Sequence, residues 1–415
     1  MAAATGTAVL DELAAAVDGH AAEATDADTV GGLTPRFTAA PGSTEEASAL
    51  LSAAAAHDLF VLVRGRGTAL HWGAPPRQVD LVVSTHRMDA VVEHVAGDLV
   101  CVVQAGSTLD AINEQVGAHG QQLALDQPLP GSSVAGTMST TRSGPRRMLY
   151  GSPRDLVVGT TMVRGDGVVS KSGGKVVKNV AGYDLAKLLG GAWGTLGLIT
   201  QLVVRLHPVP PESRWLARTL PHTEAAGIAL ELAGSQLAPT AVEIRREPGA
   251  EEATLLVLLE GTERGVSDRT DEAARVLGPV EHTTDTSTPD LARVDAEPDD
   301  VVVKVAVPLT GVVAVLDSAR AAEQRHGVRC RVQGSAGVGV LHAVVSGAAD
   351  GQAATVTALR ETATGGSAVA LQAPPAVREQ VDCWGPVPAI DLMRRVKDEF
   401  DPGHRFAPGR FVGGI

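Results

Sequence analysis

The chain has 415 residues, beyond the length at which a single hydrophobic core keeps growing, so two domains of roughly 150 to 200 residues are expected. Its 35 basic and 48 acidic residues leave a net charge of −13, poorly suited to gathering nucleic-acid phosphates or anionic lipid, which excludes a nucleic-acid partner. With 46 glycines, 24 prolines and 3% aromatic residues, the core has to be built from Ala, Val and Leu, as in an α/β or α+β protein rich in tight turns.

Residues 1–33 read as an N-terminal extension, helix-prone over 9–17 and then polar, with no function assigned. No Lys or Arg precedes Arg36, so the basic region of a signal peptide and the arginines of a transit peptide are both missing, and a cytoplasmic protein is expected. Folded content begins near Pro35, and Ser43 with Glu46 forms a capping box for a helix over 45–57. A short apolar strand over 59–63 empties into Arg64-Gly65-Arg66-Gly67-Thr68, where glycine-spaced backbone can offer N–H groups to a phosphate with no Cβ in the way. The run is not the Rossmann fingerprint, because Leu70 takes the place of its third glycine. His71 is expected on a surface turn.

Strands follow over 79–83 and 99–104, then a helix over 109–117. A second loop of small and hydroxyl-bearing residues, Pro130-Gly131-Ser132-Ser133-Val134-Ala135-Gly136-Thr137, precedes Ser143-Gly144-Pro145-Arg146-Arg147, Tyr150-Gly151 and Arg154-Asp155. A strand over 156–163 turns at Gly165-Asp166-Gly167, a hairpin signal. Next comes the run the chain is organised around, which extends from Gly173 to Leu185 and leads into Gly194-Thr195-Leu196-Gly197. Four of the six lysines, Lys171, Lys175, Lys178 and Lys187, lie around it, with one of the two tyrosines (Tyr183) and one of the two asparagines (Asn179). In a chain whose other cations are nearly all arginine, this suits a place that wants a compact ammonium. A strand over 198–206 ends at His207-Pro208-Val209-Pro210-Pro211, a domain boundary. Several glycine-rich, hydroxyl-bearing segments in one half of the chain point together to a large phosphorylated cofactor.

Residues 214–371 read twice as β-α-β-β-α-β, the split-βαβ pattern, with an acidic, turn-rich loop over 283–298 between the rounds. His342, between apolar neighbours, reads as a core histidine. No H-x-H or HExxH spacing occurs, so no metal site is expected. Cys101, Cys330 and Cys383 are scattered without a CxxC, which excludes an iron–sulfur cluster carried by this chain alone and leaves reduced, buried thiols. No apolar run approaches the ~20 residues of a membrane span. A helix over 389–400 precedes a tail whose Arg410 is a forked donor for a flavin or phosphate oxygen or an exposed surface residue.

The runs Val63 to Thr68, Ser143 to Arg147, Lys178 to Leu185, Gly194 to Gly197 and the tail Pro408-Gly409-Arg410 resemble the vanillyl-alcohol oxidase flavoproteins, whose FAD-binding domain is shared with p-cresol methylhydroxylase, and among them the FAD-binding subunits of bacterial glycolate oxidase. The chain departs from the family at Ala135, Thr141, Trp193 and Ala407. The resemblance implies an α+β fold, a two-subdomain FAD-binding domain over 34–209, a ferredoxin-like-repeat cap over 210–386, and a C-terminal segment, 387–415, returning to the first domain. It implies non-covalent FAD, because Thr68 stands where some relatives tether flavin through a histidine. Arg64, Gly65, Arg66, Gly67 and Thr68, with Gly131, Ser132, Gly136 and Thr137, would embrace the pyrophosphate. Ser143, Gly144 and Gly151 would lie along the flavin and Ile199 near the nucleotide.

Three functional readings follow. The chain is a flavoprotein subunit of a glycolate oxidase-like 2-hydroxy-acid dehydrogenase, beside a homologous flavoprotein and an iron–sulfur subunit. It is a stand-alone FAD-dependent oxidoreductase, for which Lys178 and Tyr183 are the nearest candidates for base and carboxylate-binding cation, although loop anchoring explains them equally. Or it is a scaffold that has lost flavin.

Overall fold

The computed structural model describes residues 6–175, 184–283 and 289–415. Lys178, Asn179 and Tyr183 of the lysine-rich run lie outside the described residues.

The first layer begins earlier than the sequence suggests. It comprises α1 (Gly6–Ala16), β1 (Ala21–Glu23), β2 (Phe37–Ala39), α2 (Thr44–Ala56), β3 (Val61–Arg64) and β4 (Leu81–Ser84). The strands lie in the order β1-β2-β4-β3, with β2 and β3 parallel to β4 and β1 antiparallel at the edge. The reading that folded content starts near Pro35 is therefore corrected. Val9, Leu13 and Val17 recur at helical spacing and bury their side chains in one cluster with Leu50, Leu51 and Ala54 of α2. A helix that short is held by its packed face, a tertiary term. Ser43 caps α2 by accepting from the Glu46 N–H at 3.0 Å, and the Glu46 carboxylate reaches back to the Gly42 N–H at 2.8 Å.

The second layer contains β5 (Val91–Val95), β6 (Val100–Gln104), α3 (Leu109–Gly117), β7 (Gln121–Gln122), α4 (Val134–Thr140), α5 (Arg147–Tyr150), α6 (Pro153–Leu156), β8 (Val157–Val163), β9 (Val169–Gly173), α7 (Leu185–Leu189), β10 (Leu198–Arg205) and β11 (His207–Pro208). Its antiparallel sheet runs β5-β6-β10-β8-β9, and the two-residue strands β7 and β11 pair beside it. The β8–β9 hairpin turns at Gly167, whose φ of +83° is open to glycine.

The cap is built from β12 (Glu212–Pro221), α8 (His222–Ala233), β13 (Ala241–Arg246), β14 (Glu252–Gly261), α9 (Glu263–Leu277), β15 (Glu281–Thr283), α10 (Pro289–Ala292), β16 (Val301–Ala306), α11 (Val312–His326), β17 (Arg329–Ser335), β18 (Val340–Ser346), α12 (Ala349–Thr362) and β19 (Ser367–Gln372). The eight strands run β15-β12-β14-β13-β17-β18-β16-β19, so each half has the 4-1-3-2 order of a split-βαβ unit. The antiparallel pair β13–β17 fuses the halves into one sheet.

Strand alternation gives this sheet two different faces. Val242, Ile244, Val303, Val305, Leu341 and Ala343 share a core with the apolar faces of α8, α9, α11 and α12. Glu243, Lys304, Gln333, Ser335 and His342 occupy the alternate positions of the same strands.

After α13 (Pro375–Arg378) and α14 (Ile390–Phe400), the tail returns to the first layer. There the Val61 N–H donates to the Arg405 carbonyl at 2.8 Å, and the Ala407 N–H donates to the Val61 carbonyl at 2.8 Å. Among the described residues, no helix is long and apolar enough to cross a membrane.

Candidate functional site

A cleft opens where β3 ends. One wall is the Gly65–Thr68 turn. A side chain at Gly65 would run into Ser133 Oγ, so only glycine lets this turn approach α4 so closely. The turn is tied across the cleft by a bond of 2.9 Å between Thr68 Oγ1 and Ser132 Oγ. Ser132 Oγ donates to the Leu129 carbonyl at 2.6 Å and accepts from Arg142 Nη2 at 3.1 Å. Ser133 caps α4, accepting from the Gly136 N–H at 3.2 Å. The second small-residue stretch, read as a loop, is thus half helix, because Ser133 supplies the cap its sequence needs.

The cleft is rich in uncompensated positive charge. Arg142 and Arg410 are each 6% exposed, and no carboxylate pairs with either among the described residues. Arg410 donates from Nη1 to the Leu70 carbonyl and from Nη2 to the Ala69 carbonyl, both at 3.1 Å. Its guanidinium lies 5.9 Å from the Trp193 ring, and that of Arg142 lies 5.9 Å from the Trp72 ring. Burial pushes each guanidinium down to about 10, so both remain cationic at neutral pH. Arg142 Nη1 and Thr85 Oγ1, on residues that line the cleft, are buried without hydrogen-bond partners. Buried cations and orphaned donors of this kind are satisfied by an anion with several acceptor oxygens.

The same segment builds a second cavity. Arg142 lines the cleft, while Ser143, Gly144 and Arg147 line a small chamber against the polar face of the cap sheet. A Cβ at Gly144 would lie 2.6 Å from Asp126 Cβ and 3.1 Å from Ala292 Cβ, so glycine is what fits between these walls. The segment is held from both sides. Asp126 Oδ2 accepts from the Arg146 N–H at 2.7 Å, and Glu260 of β14 accepts from Tyr150 Oη at 3.0 Å and approaches Arg146 Nε at 3.5 Å.

On the cap side the chamber is lined by Glu243, Gln333, Ser335 and His342. Lys304 stands directly opposite His342 in the β16–β18 register, on the same face. Burial, with Arg147 adding to it, lowers Lys304 to about 8. Burial first, then Lys304 and Arg147, hold His342 down at about 3, so its imidazole is neutral. Burial raises Glu243 to about 8 and Asp126 to about 6.

The sequence-derived candidates divide between these places. Gly65, Arg66, Gly67, Thr68, Gly136 and Ile199 line the cleft, and Ser132 braces it. Ser143 and Gly144 face the chamber. Arg64 turns away, its Nη1 donating to Asp28 Oδ1 at 3.0 Å. Gly131 is exposed, Thr137 is buried with its hydroxyl unpartnered, and Gly151 packs on Asp155, outside both cavities. His71 is exposed in a turn, as read. His342 is not a satisfied core histidine. It is half-buried, lines the chamber and has no hydrogen-bond partner among the described residues, because strand alternation turns it away from the helix-packed face. Thr85, Arg142, Glu243 and Ser335 line these cavities without having been singled out in the sequence. Polar residues at single positions of apolar strands, as in Val242-Glu243-Ile244, are the available signal.

The sequence pattern of the FAD binding domain family matches residues 35–173. Glycolate oxidase subunit GlcD of Bacillus subtilis (strain 168) is 32% identical over 227 residues, 54% of this chain and 47% of the relative. Glycolate oxidase subunit GlcE of Escherichia coli (strain K12) is 34% identical over 181 residues, 43% of this chain and 50% of the relative. The chain thus spans about half the length of the curated relatives it matches. A crystal structure of p-cresol methylhydroxylase with substrate bound superposes with a TM-score of 0.74 at 14% identity, covering 97% of this chain and 96% of that one. Residues 35–173 are therefore an FAD binding domain, in a chain that has the p-cresol methylhydroxylase fold and is related to glycolate oxidase subunits.

Proposed function

We propose that this chain is an FAD-dependent oxidoreductase acting on the CH–OH group of a small 2-hydroxy acid, as the flavoprotein subunit of a glycolate oxidase-like complex. The observation that carries the reading is the pair of buried arginines, Arg142 and Arg410, without carboxylate partners in a cleft narrowed by Gly65 and Ser132. The residues present fit the cofactor. Gly65 to Thr68, Gly136 and Ile199 would flank it, and Arg142 and Arg410 would neutralise its diphosphate. The holding is non-covalent, since Thr68 offers no nucleophilic ring nitrogen and His71 is exposed in a turn outside the cleft lining. When bound, FAD supplies a two-electron acceptor, and the protein supplies position and electrostatics.

The wider assembly rests on the kinship with two glycolate oxidase subunits, together with scattered cysteines that hold no cluster-binding spacing. A homologous flavoprotein and an iron–sulfur subunit are the partners this implies. A second reading, oxidation without any partner, is favoured by the polar chamber that adjoins the cleft in this same chain. A flavin-free scaffold would have no use for two unpaired buried guanidinium groups, whose retention is costly in an empty cleft.

The test is the visible spectrum of the purified chain, followed anaerobically while glycolate and D-lactate are added. Bound oxidised flavin, with or without bleaching by substrate, supports the cofactor reading, and bleaching without a partner makes the chain an enzyme by itself. A colourless protein that takes up no added FAD overturns it.

A further inference from the structure

Most walls of the chamber are fixed. Its strands β13, β17 and β18 are bound side by side in the cap sheet. The segment from Ser143 to Tyr150 is pinned by the Asp126 and Glu260 carboxylates. The two domains are also welded beside it. Trp193 of the cofactor cleft packs edge-on against Trp384, 5.0 Å between ring centroids, and the Gly73 N–H donates to the Leu371 carbonyl of β19 at 2.6 Å. What these walls enclose is about 20 Å³, room for little more than one water. As it stands, the chamber admits no solute to Ser143 or His342 unless a wall moves.

The remaining wall is of a different kind. Residues 291–300 run as a strap from α10 to β16, and Leu291, Ala292 and Val294 close the chamber. The rear of the strap, 297–300, is fastened and folded on itself. Gln372 Nε2 donates to the Glu297 carbonyl at 2.6 Å and the Asp300 carbonyl at 3.2 Å, and Gln352 Nε2 donates to the Asp299 carbonyl at 2.9 Å. The Glu297 N–H donates to Asp300 Oδ2 at 2.9 Å, and the Asp300 N–H donates to the Glu297 carbonyl at 3.0 Å. The front, 291–295, has no such turn. Its backbone is met by Gln333 Nε2 on the Arg293 carbonyl at 2.5 Å, by Arg331 Nη2 on the Asp295 carbonyl, and by the Pro128 carbonyl, which accepts from the Val294 N–H at 3.3 Å. Arg293 and Asp295 are exposed, so water can take over these carbonyls, and the buried side chains, Ala292 and Val294, are small. α10, four residues long, is too short to hold itself. A segment with little buried apolar surface and bonds at the water's edge opens locally well before the whole fold does.

We propose that strap residues 291–295 are a gate over the chamber, turning about Ala296 while 297–300 stay fastened, and that the closed gate is what keeps solutes from Ser143 and His342. The purpose of the gate rests on the proposed function, since the chamber adjoins the cofactor cleft through the segment that lines both. Its opening needs no flavin.

The test uses the full chain incubated with FAD, and two readouts at neutral pH. Hydrogen exchange read by mass spectrometry is expected to show the amides of 291–295 exchanging about tenfold or more faster than those of β18 beneath them. Diethyl pyrocarbonate, which acylates neutral imidazole, probes the chamber itself. Burial keeps His342 neutral, so its rate of modification reports access and not protonation. Arg331→Met removes the bond to the Asp295 carbonyl and leaves the chamber lining untouched. It is expected to speed His342 modification by about threefold or more, with exposed His20 reacting as before and exchange in β18 unchanged, which separates an opened gate from a loosened fold. Val294→Ala, which thins the buried part of the gate, should act in the same direction and stands in should Arg331→Met fail to fold. Exchange in 291–295 as slow as in β18, or a His342 rate that neither variant changes, overturns the proposal. Failure of the cofactor reading shows separately, as a chain that takes up no FAD, on which both readouts are still measured.

Discussion

Removing the Lys397 ammonium should unfasten the tail that completes the cofactor cleft. Lys397 and Asp401 are each 1% exposed on the side chain, with Nζ 2.7 Å from Asp401 Oδ2. The same Nζ donates to the Thr195 carbonyl at 2.7 Å and to the Phe406 carbonyl at 2.9 Å, which uses all three of its protons. Asp401 Oδ2 also accepts from the Phe406 N–H at 2.7 Å. One ammonium thus ties α14, the tail and the Gly194–Gly197 turn into a single knot. Lys397→Met leaves the Asp401 carboxylate buried without its counter-charge, with only the Phe406 N–H still donating to it, and leaves two carbonyls without a donor, a loss of about 3–5 kcal/mol. At about 2–4 °C per kcal/mol for a domain of this size, the melting temperature should fall by roughly 6–20 °C. FAD retention should fall with it, because Arg410 reaches the cleft only through this tail. The double variant Lys397→Met with Asp401→Leu should recover only the part of the loss owed to the unpaired buried carboxylate, since the Thr195 and Phe406 carbonyls and the Phe406 N–H still lack partners. Urea unfolding and flavin release would be measured on all three proteins. A single variant within about 1 kcal/mol of wild type, or a double variant no better than the single, would refute the reasoning.

One further outcome is expected. Gly65→Ala places a methyl group against Ser133 Oγ, so either that hydroxyl leaves its cap on α4 or the turn moves away from α4, and FAD fluorescence titration should show at least tenfold weaker binding, with little change in the melting temperature of the flavin-free chain.

The chemistry of the cleft's loops is legible in the sequence, whereas the chamber is not. Glycine-spaced backbone after an apolar strand is a local signal, since the turn at Gly65 to Thr68 is decided by residues adjacent in the chain. The split-βαβ rhythm of the cap was legible for the same reason: strand and helix periods are local properties of the chain. Arg64 shows the limit of that reasoning. It belongs to the glycine-rich run, yet Asp28 draws it to the other side, and Asp28 lies in the segment taken for an extension.

By itself, then, the sequence determined the two glycine-lined walls, the repeat that makes the cap and the flavoprotein resemblance, all carried by short-range patterns. Tertiary structure alone decided which residues meet. Glu243, Ser335 and His342 come from three strands and line one chamber with Arg147 only because β13 and β17 join the two halves of the cap into one sheet with a single polar face. Arg410 reaches the cleft only because a buried Lys397–Asp401 pair turns the chain back onto β3. Such convergence depends on pairing register and on desolvation between distant segments, quantities that no local window of sequence contains.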